Sequence, residues 1–257
     1  MKKSKSLELL MAIGLTATLS STSSFVNAQE NANNNTNIAP FLLAQGGEGV
    51  EGGEGGEGGE GSEEYSEGEQ ANADFTDKID GKQLLDSLKQ GGYVIYFRHA
   101  ETEKDYADQV TAVMGNCSTQ RTLSEYGWNQ AKMIGEAFRK YSIPVADVIA
   151  SQYCRAWQTA DLAFGRYVKN GDLNFPKAED YTDEQVAEMK ARLIPMLTKL
   201  PPQGENTVIV GHDDLFEAAT GIYPAPQGLA YVVKPDGNGG FELIANLLPE
   251  EWMKLGQ

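Results

Sequence analysis

Histidine occurs at two positions in the chain, His99 and His212, and each follows an apolar run. His99 sits behind Arg98 at the end of Tyr93-Val94-Ile95-Tyr96-Phe97, and His212 follows Thr207-Val208-Ile209-Val210 and Gly211. A third run, Asp147-Val148-Ile149-Ala150, leads into Ser151 to Arg155. A neutral imidazole is a nucleophile near neutral pH, and guanidinium groups present forked N–H donors to phosphoryl oxygens. If the three positions meet, two Arg and two His converge on a tetrahedral dianion, which is the requirement of phosphoryl transfer. A histidine taken at random is more often structural, and an arginine more often a surface ion-pair partner. Their shared place behind apolar runs favours the site.

The elements that must position them follow from the pattern between the runs. Continuous apolar stretches of this length suit strands buried on both faces. Helical patterns separate them: Ser124 to Tyr141 with Ser124 as N-cap, Arg155 to Phe164, and Thr182 to Leu200, where Thr182 and Gln185 form a capping box. Strand alternating with helix predicts a three-layer α/β/α sandwich with a mainly parallel central sheet. After His212 a short helix leads to Leu229–Val233, a Pro235-Asp236-Gly237 turn and Phe241–Leu247, a C-terminal hairpin. Open parallel sheets bind ligands beyond the carboxyl ends of their strands, where Arg98-His99, Ser151 to Arg155 and His212-Asp213 fall. Trp128, Trp157 and Phe138 read as core packing.

The chain has 257 residues and a formal charge of −16. From Phe75 to Gln257 there are 18 Lys plus Arg against 25 Asp plus Glu, a balance of −7. Much of the acidity therefore lies earlier. An acidic domain is a poor candidate for nucleic-acid binding, which needs a basic surface. Residues 1–28 read as a signal peptide, with Lys2, Lys3 and Lys5, an apolar centre from Leu9 to Leu19, and Val26-Asn27-Ala28 as cleavage site; an uncleaved anchor is the other reading. Residues 29–74, Asn-rich and then Gly/Glu-rich with nine Glu between Glu48 and Glu69, predict a disordered linker, and 75–257 the folded domain. No later stretch is long enough for a membrane span. A periplasmic or secreted location follows, in which Cys117 and Cys154 are chemically free to bridge or to remain thiols.

Four ordered motifs resemble the histidine phosphatase superfamily, the phosphoglycerate mutase-like proteins. They are Tyr96-Phe97-Arg98-His99-Ala100-Glu101, with Ala100 where glycine is commonest, Leu123 to Ala131, Ser151 to Ala160, and Val210-Gly211-His212. The resemblance implies that His99 is a nucleophile that becomes a phosphohistidine, gripped together with its phosphoryl group by Arg98, Arg155 and His212, with no metal and no cofactor. Arg121 and Glu101 are implied as substrate contacts. Asp213, directly after the second histidine, is the favoured leaving-group acid; Glu179, Asp180, Asp183 and Glu184 are alternatives, and an N-cap is the other reading of Asp213. The implied activity is an exported phosphomonoesterase acting on a small phosphorylated substrate, envelope phosphosugars among the candidates. A mutase and a phosphate-binding module without turnover are the competing readings. The segments Glu101–Gln120 and Gly165–Tyr181 are too short for a large helical cap, which predicts an open pocket.

Overall fold

A computed structural model of the chain describes residues 65–103, 108, 110–178 and 180–257. The expected signal peptide, most of the expected linker and Glu179 lie outside the described residues.

A six-stranded sheet organises the domain: β1 (Val94–Arg98), β2 (Val145–Ala150), β3 (Val168–Lys169), β4 (Asn206–Gly211), β5 (Ala230–Pro235) and β6 (Phe241–Leu247), in the order β3-β2-β4-β1-β5-β6. The four strands β3, β2, β4 and β1 run parallel, and β5 and β6 add antiparallel as the C-terminal hairpin. Both faces are covered, which is why the strand cores are apolar without alternation. On one face Ile95, Phe97, Val208 and Val210 pack beneath α2 (Gly81–Gln90), α3 (Glu125–Tyr141) and α4 (Cys154–Phe164). On the other, Tyr96, Ile209 and Tyr231 meet Met189 and Leu193 of α5 (Asp183–Thr198) and Phe216 of α6 (Asp213–Thr220). The expected three-layer α/β/α sandwich is thus the observed architecture.

Local chemistry sets the helix starts. Ser124 accepts from the Gly127 N–H, and Thr182 with Gln185 closes the capping box. Among the described residues no helix is long and apolar enough to cross a membrane.

Three features differ from expectation. A short helix, α1 (Glu67–Ala73), occupies residues assigned to the linker. Ser66 and Glu69 form its capping box, and it docks on the domain: the Tyr223 N–H donates to Gly68 O, Asn72 Nδ2 to Ala225 O and the Tyr231 hydroxyl to Asn72 Oδ1. Composition reports too little apolar surface, not specific polar docking. Next, α2 had no counterpart in the pattern between linker and first strand, although Leu84, Leu85 and Leu88 bury one face of it. Finally, Phe138 is core but Trp128 is 51% exposed, because it lies off the buried stripe of α3 formed by Gly127, Ala131, Ile134 and Phe138. Trp157 is partly buried against the core and stacks on Tyr167.

Candidate active site

Strands β2, β4 and β1 are neighbours, so their carboxyl ends form one edge of the sheet. Registry pairs Arg98 with Gly211 and Ala150 with Val210, which brings His99, Ser151 and His212 together. The His99 and His212 rings lie 5.4 Å apart between centroids. Gly211 is required here: a Cβ would come within 2.2 Å of the Tyr96 hydroxyl. That hydroxyl donates to His212 O at 2.7 Å and accepts from His212 N at 2.9 Å, fixing the histidine's backbone.

The hydrogen bonds distinguish the two imidazoles. Nδ1 of His99 lies 2.8 Å from Ala100 O, a contact that places the proton on Nδ1. Nε2 is then a lone-pair nitrogen, and it accepts from Arg155 Nε at 3.2 Å. His212 Nε2 lies 2.8 Å from Ser151 Oγ, while its buried Nδ1 has no hydrogen-bond partner among the described residues. Burial pushes both imidazoles well below their ordinary pKa, and the Arg155 charge adds to the shift. Both rings are neutral at physiological pH.

Each arginine is held by an aspartate. Arg98 contacts Asp213 Oδ2 at 2.6 Å, donates to Pro224 O and to the Tyr223 hydroxyl, and stands over the Tyr223 ring. Arg155 contacts Asp108 Oδ2 at 2.9 Å and stacks near Tyr153 and Phe175. The Arg121 backbone N–H donates to the same Asp108 oxygen at 2.7 Å, and the Arg121 charge depresses both histidines. Cys117 and Cys154 form a disulfide with their Cα atoms 5.7 Å apart, tying this loop to the first residue of α4. Of the two options left open by the sequence, the bridge is the observed one.

Asp213 is the first residue of α6 rather than its N-cap, which is His212. Arg98 holds the Asp213 carboxyl well below the usual carboxylate range, despite burial. Its neighbour Asp214 moves the other way: burial and the Asp213 charge raise it, although the Tyr181 hydroxyl is hydrogen-bonded to it. Of the two carboxyls, Asp213 holds the charge and Asp214 is the one that binds a proton first as pH falls. Asp214 and Tyr181 line a cleft of about 550 Å³ beside α6.

The remaining expected site residues lie elsewhere. Glu101 is turned toward α3, its carboxylate accepting from Ser124 and its N–H donating to Gln130. Ala100 buries its methyl among Leu123 and Ala131, and its N–H donates to Thr159. Asp180, Asp183 and Glu184 are exposed. Glu184 is held ionised by hydrogen bonds at the α5 N-terminus, an environment opposite to that of a proton donor. Asp108, Ser151, Tyr223 and Asp214 were not identified as site residues from sequence. Ser151 lay in view within the second-arginine motif, whereas Asp108 sits in a loop with no periodic signal.

The family model of the histidine phosphatase superfamily (branch 1) matches residues 94–174. No curated protein matches the chain by sequence. Solved structures similar to it include the protein histidine phosphatase SixA complexed with tungstate (14% identity, 62% of this chain and 98% of that one, TM-score 0.46). Others are a phosphoserine phosphatase mutant from Entamoeba histolytica in complex with phosphoserine (15%, 60% and 95%, 0.41) and YhfR of Bacillus stearothermophilus (16%, 59% and 94%, 0.43). The matched segment runs from β1 through α4 and β3 and carries the Arg98-His99 pair and Arg155, so the part of the chain similar to the histidine phosphatase superfamily (branch 1) holds three of the converging residues.

Proposed function

We propose that this chain is an exported phosphomonoesterase that works through a phosphohistidine on His99. The observation that carries the proposal is the tautomer of His99: Nδ1–H is tied to Ala100 O, so Nε2 presents its lone pair beside the Arg155 guanidinium. Nε2 attacks phosphorus, the ester P–O bond breaks and the leaving oxygen takes a proton. Water then attacks phosphorus, a new O–P bond forms as the P–Nε2 bond breaks, Nε2 recovers its lone pair, phosphate leaves and the water's proton goes to the carboxylate that protonated the leaving group. Arg98 and Arg155 supply the positive charge that a metal ion brings in other phosphatases. The Ser151 hydroxyl donates to Asn174 Oδ1, so it accepts from Nε2–H of His212, and the buried Nδ1 of His212 can donate to a phosphoryl oxygen once the ring takes up a proton beside the dianion.

The acid is the Asp213–Asp214 pair. Asp213 stands at Arg98 and is ionised while that contact lasts. A phosphoryl dianion drawing on Arg98 weakens the hold and lets Asp213 take up the proton that Asp214 retains. Export is supported by the signal-like N-terminus and by the Cys117–Cys154 disulfide, a bond that persists in oxidising compartments. The substrate class is small phosphate esters, with envelope phosphosugars one member of the class.

The test is phosphate release from a panel of sugar phosphates, phosphoserine and a phosphohistidine peptide, with EDTA present, by wild type and His99→Ala. Release by wild type that His99→Ala loses supports the reading. Release that EDTA abolishes, or that survives in the variant, contradicts it.

A further inference from the structure

We propose that Asp108 is a positioning residue that holds Arg155 in register with the nucleophile; the inference rests on the phosphatase reading above. Among the described residues the Arg155 guanidinium has two polar side-chain anchors, Nε on His99 Nε2 at 3.2 Å and NH1 on Asp108 Oδ2 at 2.9 Å. An incoming phosphoryl group must take the place of the first, because His99 Nε2 is the atom that bonds to phosphorus. Asp108 is then the anchor that remains. It is 2% exposed, so its pair with Arg155 is little screened by solvent.

Asp108 is itself fixed from two directions. Its Oδ2 also accepts from the Arg121 N–H at 2.7 Å, so one carboxylate oxygen joins Arg155 on α4 to the segment that leads into α3. The same segment is tied to α4 twice more: Gln120 Oε1 accepts from the Cys154 N–H at 2.8 Å, and Cys117 is bridged to Cys154. Cys154, the bridge terminus, is the residue before Arg155. The disulfide and the Gln120 contact thus fix the first residue of α4, and Asp108 holds the Arg155 guanidinium that follows it. Its fork geometry suits two phosphoryl oxygens only in one orientation.

The test uses the full oxidised chain, with p-nitrophenyl phosphate as substrate and inorganic phosphate as the binding probe. Asp108→Asn and Cys117→Ser are each expected to lower kcat/KM and weaken phosphate binding by about tenfold, the scale of one charge-assisted hydrogen bond. Because both act on the placement of Arg155, the double variant is expected to lose far less than the product of the two single losses. Measurement well below each variant's melting temperature separates this from a loss of folded protein. Asp108→Asn that lowers only the melting temperature, or single losses that multiply in the double variant, overturns the proposal. If wild type binds phosphate without hydrolysing the ester, the phosphatase reading fails while the phosphate affinities still decide the role of Asp108. If it does neither, both fall.

Discussion

Asp213 Oδ2 lies 2.6 Å from an Arg98 guanidinium nitrogen, so the residue after the second histidine grips the residue before the first. The contact joins the ends of two adjacent strands, β1 and β4, and it places the negative charge of the aspartate pair on Asp213.

Asp214 is left with the proton, and stability should report it. A carboxyl whose folded pKa is raised contributes most below its unfolded value near 3.8 and loses that contribution as pH rises through the folded value. Asp214→Asn removes the titration. Its melting temperature relative to wild type should therefore climb by a few degrees between about pH 5 and pH 8, on the order of 1 kcal/mol. A difference constant across that range would show that Asp214 is an ordinary carboxylate.

The two histidines give a direct readout because the chain has no others. Both are pushed well below the ordinary histidine value of 6.5, so the neutral forms persist as pH falls through the range where a free histidine titrates. Stability from these rings is present above the ordinary pKa and declines as acid forces them to charge. Imidazole NMR titration should show both midpoints well below the ordinary histidine value. A midpoint at or above about 6.5 for His99 would mean that the nucleophile is not protected as its burial requires.

Ser151 Oγ touches His212 Nε2, Asn174 Oδ1 and the Tyr153 N–H. Ser151→Ala should lower kcat/KM by about threefold to tenfold, the value of one hydrogen bond, through misorientation of His212. An unchanged kcat/KM would show that His212 needs no such support.

Helix α1 reaches the site indirectly. Asn72 and Gly68 hold Ala225 and Tyr223, in the loop that supplies the Tyr223 hydroxyl and Pro224 O to Arg98. Asn72→Ala loses two hydrogen bonds and should cost about 1–3 kcal/mol, with a raised KM from the loosened loop. A lowered melting temperature with unchanged KM would confine α1 to stability.

How far the sequence revealed this arrangement depended on the kind of interaction. The apolar runs of β1, β2 and β4 announced a buried parallel sheet, and the sheet's geometry then carried His99, Arg155 and His212 to one edge. Caps at Ser124 and Thr182 were readable because they act within four residues. Asp108 was not, since its meaning depends on Arg155, 47 positions away, and no local periodicity marks it. Glu101 misled for a related reason: adjacency to His99 in sequence did not keep its carboxylate from turning to Ser124. The N-terminus of the domain was misjudged because α1 is held by polar docking of Asn72 and Gly68, which composition cannot register.

The central claim is that His99 Nε2 becomes covalently phosphorylated. Rapid quench of wild type during turnover of a phosphate ester, in EDTA, followed by peptide mass spectrometry, tests it. A phosphoryl group on the His99 peptide, lost in acid, kept in base and absent from His99→Ala, is the predicted result. Steady turnover by His99→Ala, or turnover by wild type with no phosphoryl group on His99 at any quench time, would contradict it.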